Sequence, residues 1–189
     1  MNHIGTKELE TSRMFLRRIS VDDAENMYNN WASDPEVARY VTWPVHKDIN
    51  VTTELLKAWE NEYNNSNCYR WCIVDKGSNK PIGTIDVCRQ NDDLEIAEIG
   101  YCMAKEYWGK GIMTECANRV LKFLFEEVGY NRIQATYLLA NPASGRVMQK
   151  IGMQYEGITR DGNRLNTGKL CDVAVYSILK REYFGEEEK

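Results

Sequence analysis

Ile96-Ala97-Glu98-Ile99-Gly100-Tyr101-Cys102-Met103 and, three residues on, Tyr107-Trp108-Gly109-Lys110-Gly111-Ile112-Met113-Thr114-Glu115 set the architecture of this chain. The first run reads as a strand. After the glycines, Met113, Ala117, Val120, Leu121, Leu124 and Val128 fall on one helical face. The hydrophobic period therefore changes from 2 to 3.6 across Gly109–Gly111. Glycines let the backbone turn tightly there and gather its N–H groups without a Cβ in the way. The free amides and dipole of the following helix then suit an anion such as a pyrophosphate, to which Lys110 adds charge. Two phosphate loops are excluded by spacing. The Gly-x-x-x-x-Gly-Lys-Ser/Thr pattern is absent, and Thr114 stands where a dinucleotide fingerprint needs its third glycine. A tight turn with no ligand satisfies the glycines equally well.

Working outward, Met14 to Ile19 reads as a strand and Asp22 or Asp23 as the start of a helix through Met27 and Trp31, ending before Asp34-Pro35. Thr52 or Thr53 is expected to cap a helix carrying Leu55, Leu56, Trp59 and Tyr63. Tyr69 to Val74, Ile82 to Arg89 and Ile96 to Met103 form a meander, by the turn chemistry of the residues between them. Downstream, Gly129 ends the long helix as a left-handed cap. Ile133 to Leu139 follows as a strand, Asn141-Pro142 opens a short helix that Gly152 closes, and strands near Met153 to Ile158 and Cys171 to Leu179 finish the chain. Antiparallel strands followed by one strand-helix-strand crossover predict an α/β fold with a mixed, mostly antiparallel sheet and helices on both faces. One domain spans 1–189, with its core over about 8–182 and a solvated, frayed tail at 185–189.

Composition bounds the function. The formal net charge of -4 argues against a nucleic-acid surface, and no apolar run approaches the ~18 residues of a membrane span. The six cysteines are scattered singly, with His3 and His46 far from them in sequence, so no metal site is expected. With no signal peptide, the chain reads as a reduced, cytoplasmic protein.

The run Ala97 to Glu115 resembles the GNAT superfamily of N-acetyltransferases. So do Asn141-Pro142-Ala143-Ser144 … Met148 … Lys150-Ile151-Gly152-Met153 and the opening Glu10-Thr11-Ser12-Arg13-Met14-Phe15-Leu16-Arg17-Arg18. Together they look like the ribosomal-protein N-terminal acetyltransferase subgroup. One departure stands out: the family's usual Gln or Arg three residues before the first glycine is Glu106. The resemblance implies six to seven strands, a splayed strand pair, and acetyl-CoA as donor. It also implies backbone contacts to the pantetheine arm from Tyr101, Cys102 and Met103. The pyrophosphate would be held by Trp108, Gly109, Lys110, Gly111, Ile112, Met113 and Thr114. Asn141 would bond a pantetheine amide, with Ser144, Met148 and Lys150 flanking the arm. Plainer roles stay open: Asn141 as an N-cap before Pro142, Met148 in a core stripe with Val147 and Ile151, and Lys150 in solvent.

Acetyl transfer to an amine needs a base for the ammonium proton, a donor for the carbonyl oxygen and a proton for the departing thiolate. The resemblance places Glu98 as base, in an apolar setting among Ile96, Ala97 and Ile99, and the Met103 N–H as the carbonyl's donor. Ser144 is the preferred acid and Tyr176, on the last strand, its competitor. Direct attack in a ternary complex requires no covalent enzyme intermediate. Tyr40 and Trp43, in the Tyr40–Pro44 loop, and a mobile polar loop at 161–168 are expected to meet the acceptor. A protein N-terminus is the first acceptor, against polyamines, aminoglycosides or amino acids. A non-catalytic acyl-CoA-binding regulator is the reading from another class. A homodimer through a strand edge stays open.

Overall fold

The computed structural model describes residues 1–185, so all of the expected tail at 185–189 but Gly185 lies outside the described residues. The strands are β1 (Leu9–Glu10), β2 (Met14–Arg17), β3 (Arg70–Asp75), β4 (Lys80–Asn91), β5 (Ile96–Met103), β6 (Arg132–Leu138), β7 (Gln154–Arg164) and β8 (Leu170–Leu179). The α-helices are α1 (Ala24–Met27), α2 (Pro35–Ala38), α3 (Ile49–Glu62), α4 (Ile112–Phe123), α5 (Pro142–Lys150) and α6 (Lys180–Phe184). One eight-stranded sheet runs β1-β2-β3-β4-β5-β6-β8-β7, so six to seven strands was an undercount. The two-residue β1, which pairs Leu9 with Leu16, is too short to leave a periodic signal.

Every neighbouring pair is antiparallel except β5 and β6, joined by the α4 crossover. Trp71, Ile73, Ile85, Ala97 and Ile99 on one sheet face bury against Val120 and Leu121 of α4 and Met148 of α5. On the other face, Cys72 and Val74 meet Trp31 and Leu56.

Two expectations are corrected. Asp48, not Thr52 or Thr53, caps α3, accepting from the Asn50 and Val51 amides. Thr52 is instead buried, its hydroxyl 2.7 Å from His46 Nδ1. Half of the 161–168 segment is strand: β7 continues to Arg164, with a register shift between Thr159 and Asn163, before a turn into β8.

The feature that positions the site is a seam that ends early. β5 and β6 share only the register pairs Ile96↔Arg132, Ala97↔Ile133 and Glu98↔Gln134. Beyond them β5 continues along β4 to Met103↔Gly83, while β6 continues along β8 to Leu138↔Val173. The two strands thus part just after Glu98. A register shift between Val87 and Arg89 lies at the same level, and such irregularities increase local twist.

Candidate active site

The glycine turn has the geometry its sequence requires. Gly109 and Gly111 adopt φ of 72° and 74°, a region that costs residues with a side chain. Gly111 is the N-cap of α4 and no side chain caps that end. The first amides of a helix lack intrahelical partners, so those of Ile112, Met113 and Thr114 remain for a ligand. The side chains of Ile112 and Met113 are buried in the core, so these two residues serve an anion only through the main chain. An added Cβ at Gly109 would meet nothing within 4 Å, so the approach is open.

Arg13 braces this turn. It donates to the Lys110 carbonyl (3.0 Å) and, through Nε, to Glu115 (2.7 Å), which also accepts from Ser12. Lys110 Nζ lies over the Tyr107 ring, 5.3 Å from its centroid.

Beside the turn is the free edge of β5. The Ala104 amide donates to the Ile82 carbonyl at 2.8 Å. By the alternation of an antiparallel ladder, even-numbered residues there bond β4, and Tyr101 and Met103 turn their main-chain groups toward the gap. Trp108 Nε1 takes the Met103 carbonyl at 2.7 Å, a contact the sequence reading missed. Cys102 lies 3.4 Å from the Thr84 hydroxyl, and burial pushes its thiol up to about 11. It is no nucleophile at neutral pH.

Glu98 points to the face bearing α1 and α3, opposite Ala97 and Ile99. Its side chain is 9% exposed, but its setting is not the apolar one expected. Gln134 Nε2 donates to Oε2 (3.1 Å), Thr136 donates to Oε1 (3.2 Å), and Arg89 stands 3.6 Å from Oε2. The two hydrogen-bond donors come from β6, whose polar residues Arg132, Gln134 and Thr136 alternate with Ile133 and Ala135. That period-2 pattern was the signal available for finding them.

Ser144 and Tyr176 lie on the opposite face, near α5. The Ser144 hydroxyl donates to the Tyr101 phenol at 3.0 Å, and that phenol donates to the Ser144 carbonyl at 3.1 Å. Tyr176 accepts from Gln149 Nε2 at 3.0 Å. Asn141 occupies the N-cap position without capping through its side chain, so that role is not realised. Met148 is 1% exposed, a core residue rather than a flank of a ligand groove, and Lys150 is exposed. The sheet therefore separates Glu98 from Ser144 and Tyr176, and the parting of β5 and β6 is the passage between them.

Comparison with known proteins settles the family. The model of the acetyltransferase (GNAT) domain matches residues 13–154. The chain belongs to the GNAT acetyltransferase family. It is an acetyl-CoA-dependent N-acetyltransferase. The GNAT protein is similar to N-acetyltransferase p20 of Bacillus licheniformis, at 30% identity over 94% of this chain and 98% of that one. N-acetyltransferase YoaA of Bacillus subtilis is 33% identical, covering 91% and 96%. A GNAT-family acetyltransferase of Bacillus anthracis superposes with a TM-score of 0.80 at 27% identity, over 93% of this chain and 99% of that one.

In the acetyltransferase the two segments expected to meet the acceptor touch. Asn166 Nδ2, in the β7–β8 turn, donates to the carbonyls of Ala38 (2.8 Å) and Trp43 (3.2 Å). Trp43 packs edge-on to His46, and Tyr40 lies under Arg39. This bridge spans more than 120 residues and leaves no sequence signal. Among the described residues, no helix of the acetyltransferase is long and apolar enough to cross a membrane, and no cluster is placed to hold a metal.

Proposed function

We propose that this acetyltransferase acts on the N-terminal amine of a protein, by direct attack within a ternary complex. The observation that carries the residue roles is the early end of the β5–β6 seam, with Glu98 at its mouth and the uncapped start of α4 beside it. These features fit acetyl-CoA. The amides of residues 111–114 would hold the diphosphate, and the main-chain groups of Tyr101 with the N–H of Met103, whose carbonyl Trp108 takes, would receive the pantetheine arm as an added strand is received. Bound there, acetyl-CoA supplies the activated thioester.

Glu98 takes the proton from the incoming ammonium, freeing the lone pair that attacks. The Met103 N–H donates to the carbonyl oxygen as the C–N bond forms and charge develops on it. When the C–S bond breaks, the second proton shed by the amine nitrogen makes good the one the acid gives the thiolate. For the departing thiolate, Tyr176 displaces Ser144 as the favoured acid. Both hydroxyl protons of the Ser144–Tyr101 pair are committed to each other's residue, whereas Tyr176 accepts from Gln149 and keeps its own proton to give.

The protein acceptor draws support from YdaF of Bacillus subtilis, provisionally named a ribosomal N-acetyltransferase, which is 35% identical over 70% of this chain. A mass-spectrometric screen of amines with acetyl-CoA tests it. Acetylated peptide N-termini are the expected product. Turnover of polyamines, aminoglycosides or amino acids alone rejects the protein acceptor, and binding of acetyl-CoA with no turnover of any amine makes the chain a regulator.

A further inference from the structure

The Glu98 carboxylate is one end of a polar ladder crossing β5, β6, β8 and β7. Gln134 Nε2 reaches Glu98 Oε2 at 3.1 Å, while Gln134 Oε1 accepts from Arg132 Nη2 at 3.2 Å and more loosely from Nε at 3.4 Å. Arg132 in turn grips both oxygens of Glu156, at 2.5 and 2.6 Å, and donates to the Ser177 hydroxyl at 2.9 Å. Ser177 completes the ring by donating to Glu156.

This order of donors and acceptors has one consistent reading. A primary amide can present either end, and the two ends are alike in shape. A guanidinium has donors only, so the Gln134 oxygen must face Arg132 and the nitrogen is left facing Glu98. The two-pronged hold of Glu156 fixes the plane of that guanidinium. The amide is therefore oriented from two strands away.

We propose that Gln134 is a positioning residue for Glu98, its amide oriented by the Arg132–Glu156–Ser177 group so that the carboxylate stays aimed into the β5–β6 gap. The proposal rests on the base role given to Glu98 above. Thr136 holds the second oxygen from the same strand, so the carboxylate has one supported rotamer. Small displacements of a reacting group cost rate steeply, which is why such support matters. Other charged or titratable groups face the site. From β4 come Arg89, 3.6 Å away, and Asp86, which burial pushes up to about 6, with Cys88 donating to the Glu98 carbonyl.

The test is the pH–rate profile of Gln134→Met, which keeps the length of the side chain and removes both amide contacts. The expected result is a kcat lower by about tenfold, with the KM for acetyl-CoA within twofold of the parent. The ascending limb should also move to higher pH, as expected when a donor to an ionised carboxylate is lost. A lower rate with an unmoved limb overturns the proposal, since a purely structural defect leaves the profile where it was. Should Gln134→Met not fold, Glu156→Gln, which loosens Arg132, is read by the same two outcomes. Glu98→Gln separates the underlying reading: its residual rate should no longer climb over that window. A persisting climb assigns the limb to another group, Asp86 first, and removes Glu98 as base.

Discussion

At the scale of single residues, three substitutions divide the chemistry. Glu98→Gln keeps the shape of the side chain and removes its basicity, so kcat should fall by roughly 10²–10⁴ while acetyl-CoA still binds. Unchanged kcat would remove Glu98 from the mechanism. Tyr176→Phe should cost more in kcat than Ser144→Ala, because only Tyr176 has a hydroxyl proton free to give. The reverse order restores Ser144 as the acid. Glu98 was legible because the sequence places it on a strand beside the glycine turn. Its surroundings were not: Gln134 and Thr136 lie 36 and 38 residues away, and nothing local tells an apolar neighbour along the strand from a polar neighbour across it. Ile96, Ala97 and Ile99 suggested a dry carboxyl, yet Ala97 and Ile99 point to the other face.

Among elements, the β5–α4–β6 crossover was readable almost to the residue, because a change of period and two glycines are local signals. What braces it was not. Burial opposes ionisation of Glu115, but hydrogen bonds from Thr11, Arg13 and Ser12 prevail and hold it down to about 2. Glu156 is held down to about 2 chiefly by Arg132. A carboxylate depressed in the folded chain stabilises it above the ordinary value near 4.5, and that contribution is lost as pH falls from there toward 2. Glu115→Gln should therefore melt below the parent at pH 7 and converge with it near pH 2. Equal deficits at both pH values would show that the charge is not responsible. Asn166→Ala removes two hydrogen bonds, worth roughly 0.5–1.5 kcal/mol each, that tie the β7–β8 turn to the Trp43 loop. An acceptor KM raised about three- to tenfold, with acetyl-CoA affinity intact, is the expected outcome. An unaltered KM would show that this bridge does not shape the acceptor side.

For the whole molecule, a ligand that binds only the folded chain must raise its melting temperature. At a hundred times its Kd, acetyl-CoA should add about 2.7 kcal/mol, readable in a thermal scan, and NAD or ATP at equal concentration should add nothing comparable. A flat response to acetyl-CoA on folded protein would remove the premise of the site. The mixed sheet, with helices on both faces, followed from element order, and the missing eighth strand from the brevity of β1. The three-pair seam has a mechanical corollary. Five strands on one side and three on the other are stitched along a single short suture and strapped by α4, so the two halves can tilt about that line. A pantetheine chain laid along Tyr101 and Met103 would act as a splint. Deuterium uptake should then slow on both banks of the opening together, and the ligand-free molecule should breathe there before its core does.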